Sequence, residues 1–237
     1  YFFLAYWRSL RGRGVDRYIC RCRTVCDLNG LGANCVILPS FVLPEEVRLF
    51  EEERIRRWSG METNVRLRIL FYSSYVVSPR LVPTGALVRW ARLLSRSLTN
   101  VEFVFVDPAR VRRPKKIGDR VILLPALRRS RFLKLLSSST IYVDQLVDEE
   151  LRGAVMEAGL MGVPVAKLIH PGFLERCDYN ENHLILARSL KELSEKVMYY
   201  LEDPSELINL SRNFLKFIEG RRSWEKASRE LMSDLRG

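Results

Sequence analysis

The sequence has 237 residues, 47% of them hydrophobic, which is enough for one large domain or for one domain and part of another. It contains 39 Lys and Arg against 28 Asp and Glu. The resulting net charge of +11 indicates attraction to anions such as phosphorylated small molecules, nucleic acid or an anionic membrane surface. The hydrophobic content excludes a disordered chain, and no apolar run reaches the roughly 18 residues that a spanning helix needs.

Two features of the amino-terminal region bear on compartment and metal binding. The chain begins with Tyr1, and its apolar segment 1–7 precedes basic residues, whereas a signal peptide has the charge first. We therefore expect a fragment whose beginning is missing. The five cysteines are an odd number, which argues against a secreted disulfide framework, and no nearby histidine completes "CRCRTVC" as a zinc site. No metal site is predicted.

The first 65 residues predict a short, mixed region. Its apolar runs predict strands at 15–20 and 34–40, and its remaining segments predict helices over 1–13, over 23–33 and from Pro44 onward. The last of these is highly charged and has the composition of a solvated face or a linker.

From residue 66 onward, predicted strands and helices alternate. The strands are 66–74, 100–107, 119–125, 140–145, 164–169 and 182–187; the helices are 83–98, 129–139, 153–162, 189–204, 205–222 and 223–236. Such alternation predicts a parallel sheet with helices on both faces. Ligands of these sheets bind beyond the carboxyl ends of the strands.

One such strand end carries the most informative motif, "DEELRGAVMEAGLMGVPVAKL", residues 148–168. Glu149 precedes a predicted helix start, Glu157 lies eight positions later inside that helix, and Gly162 is the predicted helix stop. The free N–H groups and positive dipole of a helix start attract phosphate, and Gly153 allows close backbone approach. The simpler alternative is that both glutamates are ordinary acids that favour the helix dipole.

This motif resembles the carboxyl-terminal domain of GT-B glycosyltransferases of group 1, the family 4 type. These enzymes carry a loop glutamate, a second glutamate eight positions later and then "AxGxPVV", which "EAGLMGVPVAK" matches. Downstream, residues 170–204 are similar to the family's "GGxPE…DGxxGLLV…DP", and "RSWEKASREL" to its closing "FSWExxAxxL". Upstream, residues 15–42 resemble the end of the family's amino-terminal domain. The resemblance therefore covers nearly the whole chain from about residue 15.

The resemblance implies an α/β, GT-B type fold: a Rossmann-like parallel sheet flanked by helices, with a partial first domain. Residues 1–44 are then a remnant of the amino-terminal, acceptor-side domain. Residues 45–64 are a linker, and residues 65–237 form the nucleotide-sugar-binding domain with its closing helices.

The resemblance also implies roles for residues at the strand ends. Glu157 is expected to accept hydrogen bonds from the ribose hydroxyls, and Glu149 to act at the sugar side of the pocket. The remaining donor-binding candidates face the diphosphate or the base: Gly153, Ala154, Ser73, Ser74 and Pro125.

A cationic position departs from the family pattern. The family places an Arg and a Lys after the first strand of this domain, where they neutralise the departing diphosphate. Arg80 is the candidate for the Arg, and we treat it with Glu149 as catalytic. Thr84 and Gly85 stand where the family has Lys-Gly, with no lysine nearby. Either another arginine compensates (Arg89, Arg128 or Arg129) or catalysis is weakened.

The activity implied is transfer of a sugar, with retention, from a UDP- or GDP-type nucleotide-sugar to an unknown glycan, lipid-linked or protein acceptor. The nucleotide-sugar is a substrate, and no cofactor is expected. We expect a cytoplasmic location, with peripheral contact at the membrane face left open. A catalytically degenerate GT-B-like binding or scaffold module is the alternative. Nucleic acid is not an expected partner, because aromatic residues are not interleaved with the basic ones.

Overall fold

The structure is a computed structural model of the chain. It describes residues 18–20, 35–37, 52, 55, 67–72, 83–108, 110–144, 151, 153–175, 177–221 and 229. Strands β1 (Tyr18–Cys20) and β2 (Cys35–Ile37) pair in parallel, inside the two strands predicted for the amino-terminal region. The helices predicted over 1–13 and 23–33 lie outside the described residues, and the proposed division into domains stays a prediction.

A second sheet has seven strands in the spatial order β5-β6-β4-β3-β7-β8-β9. Its strands are β3 (Leu67–Tyr72), β4 (Val101–Val106), β5 (Lys115–Ile117), β6 (Val121–Leu124), β7 (Ile141–Asp144), β8 (Val165–Leu168) and β9 (Ile185–Ala187). Every neighbouring pair is parallel except β5 with β6. The parallel strands follow the doubly wound order of Rossmann-like sheets.

Six helices accompany this sheet in the described part of the chain. They are α1 (Thr84–Leu94), α2 (Arg129–Ser137), α3 (Gly153–Leu160), α4 (Pro171–Leu174), α5 (Leu190–Glu202) and α6 (Pro204–Arg221). The strands and long helices predicted from 66 to 222 are confirmed, with shifts of at most four residues at their ends. The sheet is not wholly parallel, however. The antiparallel strand β5 was not predicted, because it has only three residues and two of them are exposed lysines.

The two faces of the sheet bury separate cores. Alternate residues of β3 and β4 point to opposite faces, as the strand pleat requires: Leu70 and Val104 belong to one core, Ile69 and Phe103 to the other. Helices α2 and α3 cover the first face, which we call the α3 face. Helices α1 and α5 cover the second, and α6 contributes to both. Burial on both faces explains why the strand sequences are continuous apolar runs.

Helix α3 is held closely against α6. The predicted stop at Gly162 is confirmed: its φ is 67°, the N–H of Gly162 donates to the Gly159 carbonyl, and the N–H of Val163 donates to the Ala158 carbonyl. These two bonds are those of a Schellman motif. Ser211 of α6 donates its hydroxyl proton to the Gly162 carbonyl over 2.8 Å. Helix α6 therefore supports the end of α3 from one side.

We predict that Gly159→Ala destabilises the fold, although alanine is the better helix former. A Cβ at Gly159 would lie 2.6 Å from Cε1 of Phe214 and would also meet Ile218, so α6 must move. Overpacking of this kind costs about 1–3 kcal/mol.

Gly220→Ala, in α6, is the matched control, because a Cβ there meets no atom within 4 Å. It should gain up to about 1 kcal/mol from helix propensity. Urea unfolding compares the two variants, and equal free energies of unfolding would contradict the described packing of α3 on α6.

Candidate functional site

The order of the strands defines where a ligand would bind. From β3 the chain proceeds to β4 and β6 on one side, then returns to β7, β8 and β9 on the other. The reversal lies between β3 and β7, which pair in parallel. In open α/β sheets, the crevice beyond the carboxyl ends of two such strands is the binding site. This crevice lies at the side of the sheet where the parallel strands have their carboxyl ends, and we call that side the donor edge.

Four predicted site residues follow directly from these two strand ends. Ser73, Ser74 and Arg80 come after Tyr72, the last residue of β3, and Glu149 comes after Asp144, the last residue of β7. All four lie outside the described residues, so their roles stay predictions. Their chain positions nevertheless attach them to the two strands that flank the reversal.

The other predicted residues lie at the donor edge within the described part of the chain. Gly153 and Ala154 form the start of α3, with Gly153 exposed and Ala154 half-buried. A Cβ at Gly153 would meet no atom within 4 Å, so no protein contact requires glycine there. Pro125 directly follows β6 and is half-buried.

Glu157 is a buried carboxylate, 7% exposed, in the second turn of α3. Its Oε1 accepts a hydrogen bond from Nη1 of Arg129 over 2.7 Å. Arg129 is the first residue of α2, and its side chain is 56% exposed. Since α2 and α3 cover the same face, this pair joins the beginnings of two helices. From the sequence, Arg129 was expected only as a substitute cation, and no sequence pattern indicates that it contacts Glu157.

Three helix starts at the donor edge carry no acid in their first turn: α1, α2 and α3. Neither Pro83 before α1 nor Arg128 before α2 forms a side-chain capping bond. In contrast, the Ser189 hydroxyl caps α5 by accepting from the Glu192 N–H. Among the described residues, the positive ends of α1 and α2 therefore have neither an acidic side chain in the first turn nor a side-chain cap.

Thr84, the first residue of α1, carries a buried hydroxyl. The residue is 6% exposed, and its Oγ1 has no hydrogen-bond partner, the one such atom among the buried side chains that the structure describes. Buried polar atoms almost always have partners, so an exception requires an explanation. Thr84 is also the residue that stands where the family pattern has lysine.

Exposed cations follow the carboxyl ends of β4 and β6. They are Arg110, Arg112, Arg113, Lys115, Lys116, Arg128, Arg129 and Arg131. Lys115 pairs in register with Leu123, near the carboxyl end of β6, which places the start of β5 at this edge. The edge is therefore strongly basic and attracts anions.

A cavity of about 550 Å³ lies further along the same edge, beyond β8 and β9, and Asp178, Asn180 and Glu192 are among its lining residues. A backbone hydrogen bond from Arg188, and then the Lys196 ammonium, hold the pKa of Glu192 below its usual value. His170 has a structural role here, since its Nδ1 accepts from the Gly172 N–H at the start of α4. The predicted match of this loop to "GGxPE" stays untested.

The described residues contain no group of three His, Cys, Asp or Glu side chains that could hold a metal ion. They also contain no helix that combines the length and the apolar character needed to cross a membrane.

Comparison with known proteins identifies the fold. No protein-family model matches the sequence, and no curated protein matches it. Among solved structures, sucrose-phosphate synthase from Thermosynechococcus elongatus has a TM-score of 0.65 and 13% identity, over 94% of this chain and 59% of that one. HepE of Anabaena, solved with UDP-glucose, has a TM-score of 0.67 and 14% identity, over 98% and 67%.

A single-domain structure gives a similar result. The C-terminal domain of LpcC, a group 1 family glycosyl transferase from Francisella tularensis, has a TM-score of 0.55 and 11% identity, over 75% of this chain and 98% of that domain. The chain thus spans 59% of the synthase and 67% of HepE. The predicted GT-B type, Rossmann-like fold is confirmed, while assignment to family 4 stays a prediction.

We predict that Thr84→Val stabilises the fold by about 1 kcal/mol, because it replaces an unpartnered buried hydroxyl with a methyl group of similar shape. Thr140→Val is the control: the Thr140 hydroxyl accepts from the Arg68 N–H over 3.0 Å, and its loss should destabilise by about 1–3 kcal/mol. Thermal unfolding distinguishes the two. A loss of stability in Thr84→Val comparable to the control would show that its hydroxyl has a partner.

Proposed function

We propose that this chain provides the nucleotide-sugar-binding part of a glycosyltransferase. The observation that carries the proposal is the buried Glu157 carboxylate at the donor edge, beside the strand-order reversal of a GT-B type sheet. The HepE structure, which has the same fold, was solved in complex with UDP-glucose. The ribose hydroxyls and the diphosphate of such a donor can each be matched to a group at this edge.

Glu157 suits a ribose diol. A carboxylate accepts hydrogen bonds only, and two adjacent hydroxyls can donate to its oxygens. Arg129 already orients the carboxylate by a 2.7 Å charge-assisted bond, so the side chain is held before the ligand arrives. A bound ribose would join or replace Arg129 at Glu157. Arg129 is more than half exposed and can turn toward a phosphate.

The diphosphate suits the starts of α1 and α3. These helices lie on opposite faces of the sheet, and each begins at the donor edge, α1 after β3 and α3 after β7. Their N–H groups and dipoles favour an anion between them. The Thr84 hydroxyl can donate to a phosphate oxygen, which would satisfy the atom left without a partner. The open space at Gly153 leaves room for close approach.

The reaction proposed is transfer with retention. The bond between the anomeric carbon and the diphosphate oxygen breaks, a bond to an acceptor oxygen forms on the same face, and the acceptor proton passes to the leaving diphosphate. Arg80 and Glu149 are the residues proposed to act on the diphosphate and the sugar. The acceptor is a glycan, a lipid-linked molecule or a protein. The basic donor edge supports rapid capture of the anionic donor and a location at the cytoplasmic face of a membrane.

A catalytically degenerate binding module is the second candidate. Thr84 in place of the family's lysine favours it, because a hydroxyl cannot neutralise the leaving diphosphate as an ammonium does. Such a module would retain nucleotide binding and lack transfer, or would have lost both.

We predict that the chain binds UDP or GDP with a dissociation constant below about 1 mM, and that Glu157→Ala weakens this binding at least about tenfold. Calorimetric titration measures both. The matched control is Glu102→Ala, which removes another buried carboxylate, 8% exposed, paired with an arginine. Glu102 is the second residue of β4, at the opposite edge of the sheet.

Both variants should lose stability, because each removes a buried carboxylate paired with an arginine, but the control should keep the affinity of the wild type. Equal nucleotide affinity in Glu157→Ala and the wild type would remove Glu157 from the site. A folded chain that binds neither nucleotide would reject the proposed function and favour a module that has lost its donor site.

A further inference from the structure

A lysine is fully buried within the sheet, next to the donor edge. Lys167 of β8 is 0% exposed, and its Nζ lies 2.7 Å from Oδ2 of Asp144, whose side chain is 6% exposed. Lysine is almost never buried to this extent without a partner. No pattern in the sequence joins the two residues, although a lysine within the apolar run "PVAKLI" is itself unusual.

The pair lies on the α3 face. Tyr142 pairs in register with Val165, and both belong to the core of that face. Asp144 and Lys167 are two residues further along and pair directly with each other, so the pleat returns them to the same face. Helix α3 packs against both β7 and β8 on this face. The ion pair therefore lies at the carboxyl ends of β7 and β8, on the face that α3 covers.

The strand pairing shows which element the ion pair fixes, namely the carboxyl end of β7. The ladder between β3 and β7 ends at Phe71 with Val143, whereas the ladder between β7 and β8 continues to Asp144 with Lys167. At Asp144, its last described residue, β7 is therefore joined to β8 by both the strand pairing and the ion pair. The next residues, 145–152, carry Glu149 and connect to α3.

Stability alone does not account for such a pair. Burying two charges carries a large desolvation penalty, and apolar residues of similar volume often replace a buried ion pair with no loss of stability or with a gain. What an apolar pair cannot supply is a directional bond that fixes one strand end against its neighbour.

We propose that the Lys167–Asp144 ion pair is a positioning element of the donor site. It fixes the carboxyl end of β7 against β8, and thereby sets the placement of α3, which packs on both strands. Lys167 acts through Asp144 and does not touch the donor. This inference rests on the proposed function, because the geometry it protects is that of the nucleotide-sugar site.

The test is a charge-free pair, Asp144→Leu with Lys167→Met, and a second pair that keeps hydrogen bonding, Asp144→Asn with Lys167→Gln. The control is Lys191→Met with Glu195→Leu, which removes an exposed ion pair of α5 whose side chains are 88% and 59% exposed. For each variant, we would measure the melting temperature, the dissociation constant of UDP and GDP, and hydrogen exchange without nucleotide. The amides compared are those of residues 157–160 in α3 and those of β4.

The expected result is a melting temperature of the apolar pair at or above that of the wild type. Its α3 amides should exchange about tenfold faster relative to those of β4, and its nucleotide affinity should fall about tenfold or more. The Asn-Gln pair should recover part of the α3 protection and part of the nucleotide affinity. The α5 control should match the wild type in both measurements.

Unchanged α3 exchange and unchanged affinity in the apolar pair would overturn the proposal. Loss of the fold in both charge-free variants would also overturn it, because the pair would then be a requirement of folding. A wild type that binds neither nucleotide would reject the proposed function separately, and hydrogen exchange would still decide whether the pair positions α3.

Discussion

The reversal of strand order between β3 and β7 is the constraint on which the rest of the site depends. A parallel sheet wound in one direction from β3 and in the other from β7 sends the next helix to opposite faces: α1 covers one face and α3 the other. Both helices must then begin at the same edge, where the two strands end. Two positive helix ends therefore meet one crevice without any sequence motif that dictates it.

This constraint explains why buried polar groups cluster near the donor edge. Glu157, Thr84 and the Lys167–Asp144 pair are all more than nine-tenths buried. Each would lower stability unless partnered or used. The Arg68–Glu102 pair near the opposite edge shows that the sheet also contains a buried carboxylate with no connection to the donor edge. Position at the strand ends, rather than burial, distinguishes the proposed site residues.

Much of the fold could be predicted from the sequence. The hydrophobic pattern and the composition predicted the strands from β3 to β9, except β5. Gly162 predicted the end of α3, because the residue there has a left-handed backbone conformation. Strand β5 was not predicted, because a short edge strand with two exposed lysines has no apolar pattern. Single-sequence patterns also do not reveal contacts between distant elements. The Arg129 to Glu157 bond and the Lys167 to Asp144 bond join residues 28 and 23 positions apart, and both depend on the sheet being assembled.

The start of α3 at Gly153 matches the prediction, while the role of Glu157 stays a prediction. The family pattern also raised the question of a missing lysine. At the position where the family pattern has lysine, the structure shows Thr84 with a buried hydroxyl that has no hydrogen-bond partner. In the proposed function, transfer in addition to binding depends on whether Thr84 and the neighbouring arginines can stabilise a leaving diphosphate.

A crystal structure of the chain grown with UDP or GDP would test the central claim most directly. The account predicts ribose hydroxyls within hydrogen-bond distance of the Glu157 carboxylate and the diphosphate between the starts of α1 and α3, with the Thr84 hydroxyl donating to it. A nucleotide bound elsewhere, for example in the cavity beside Asp178 and Glu192, or bound at the donor edge with Glu157 still turned only to Arg129, would contradict it.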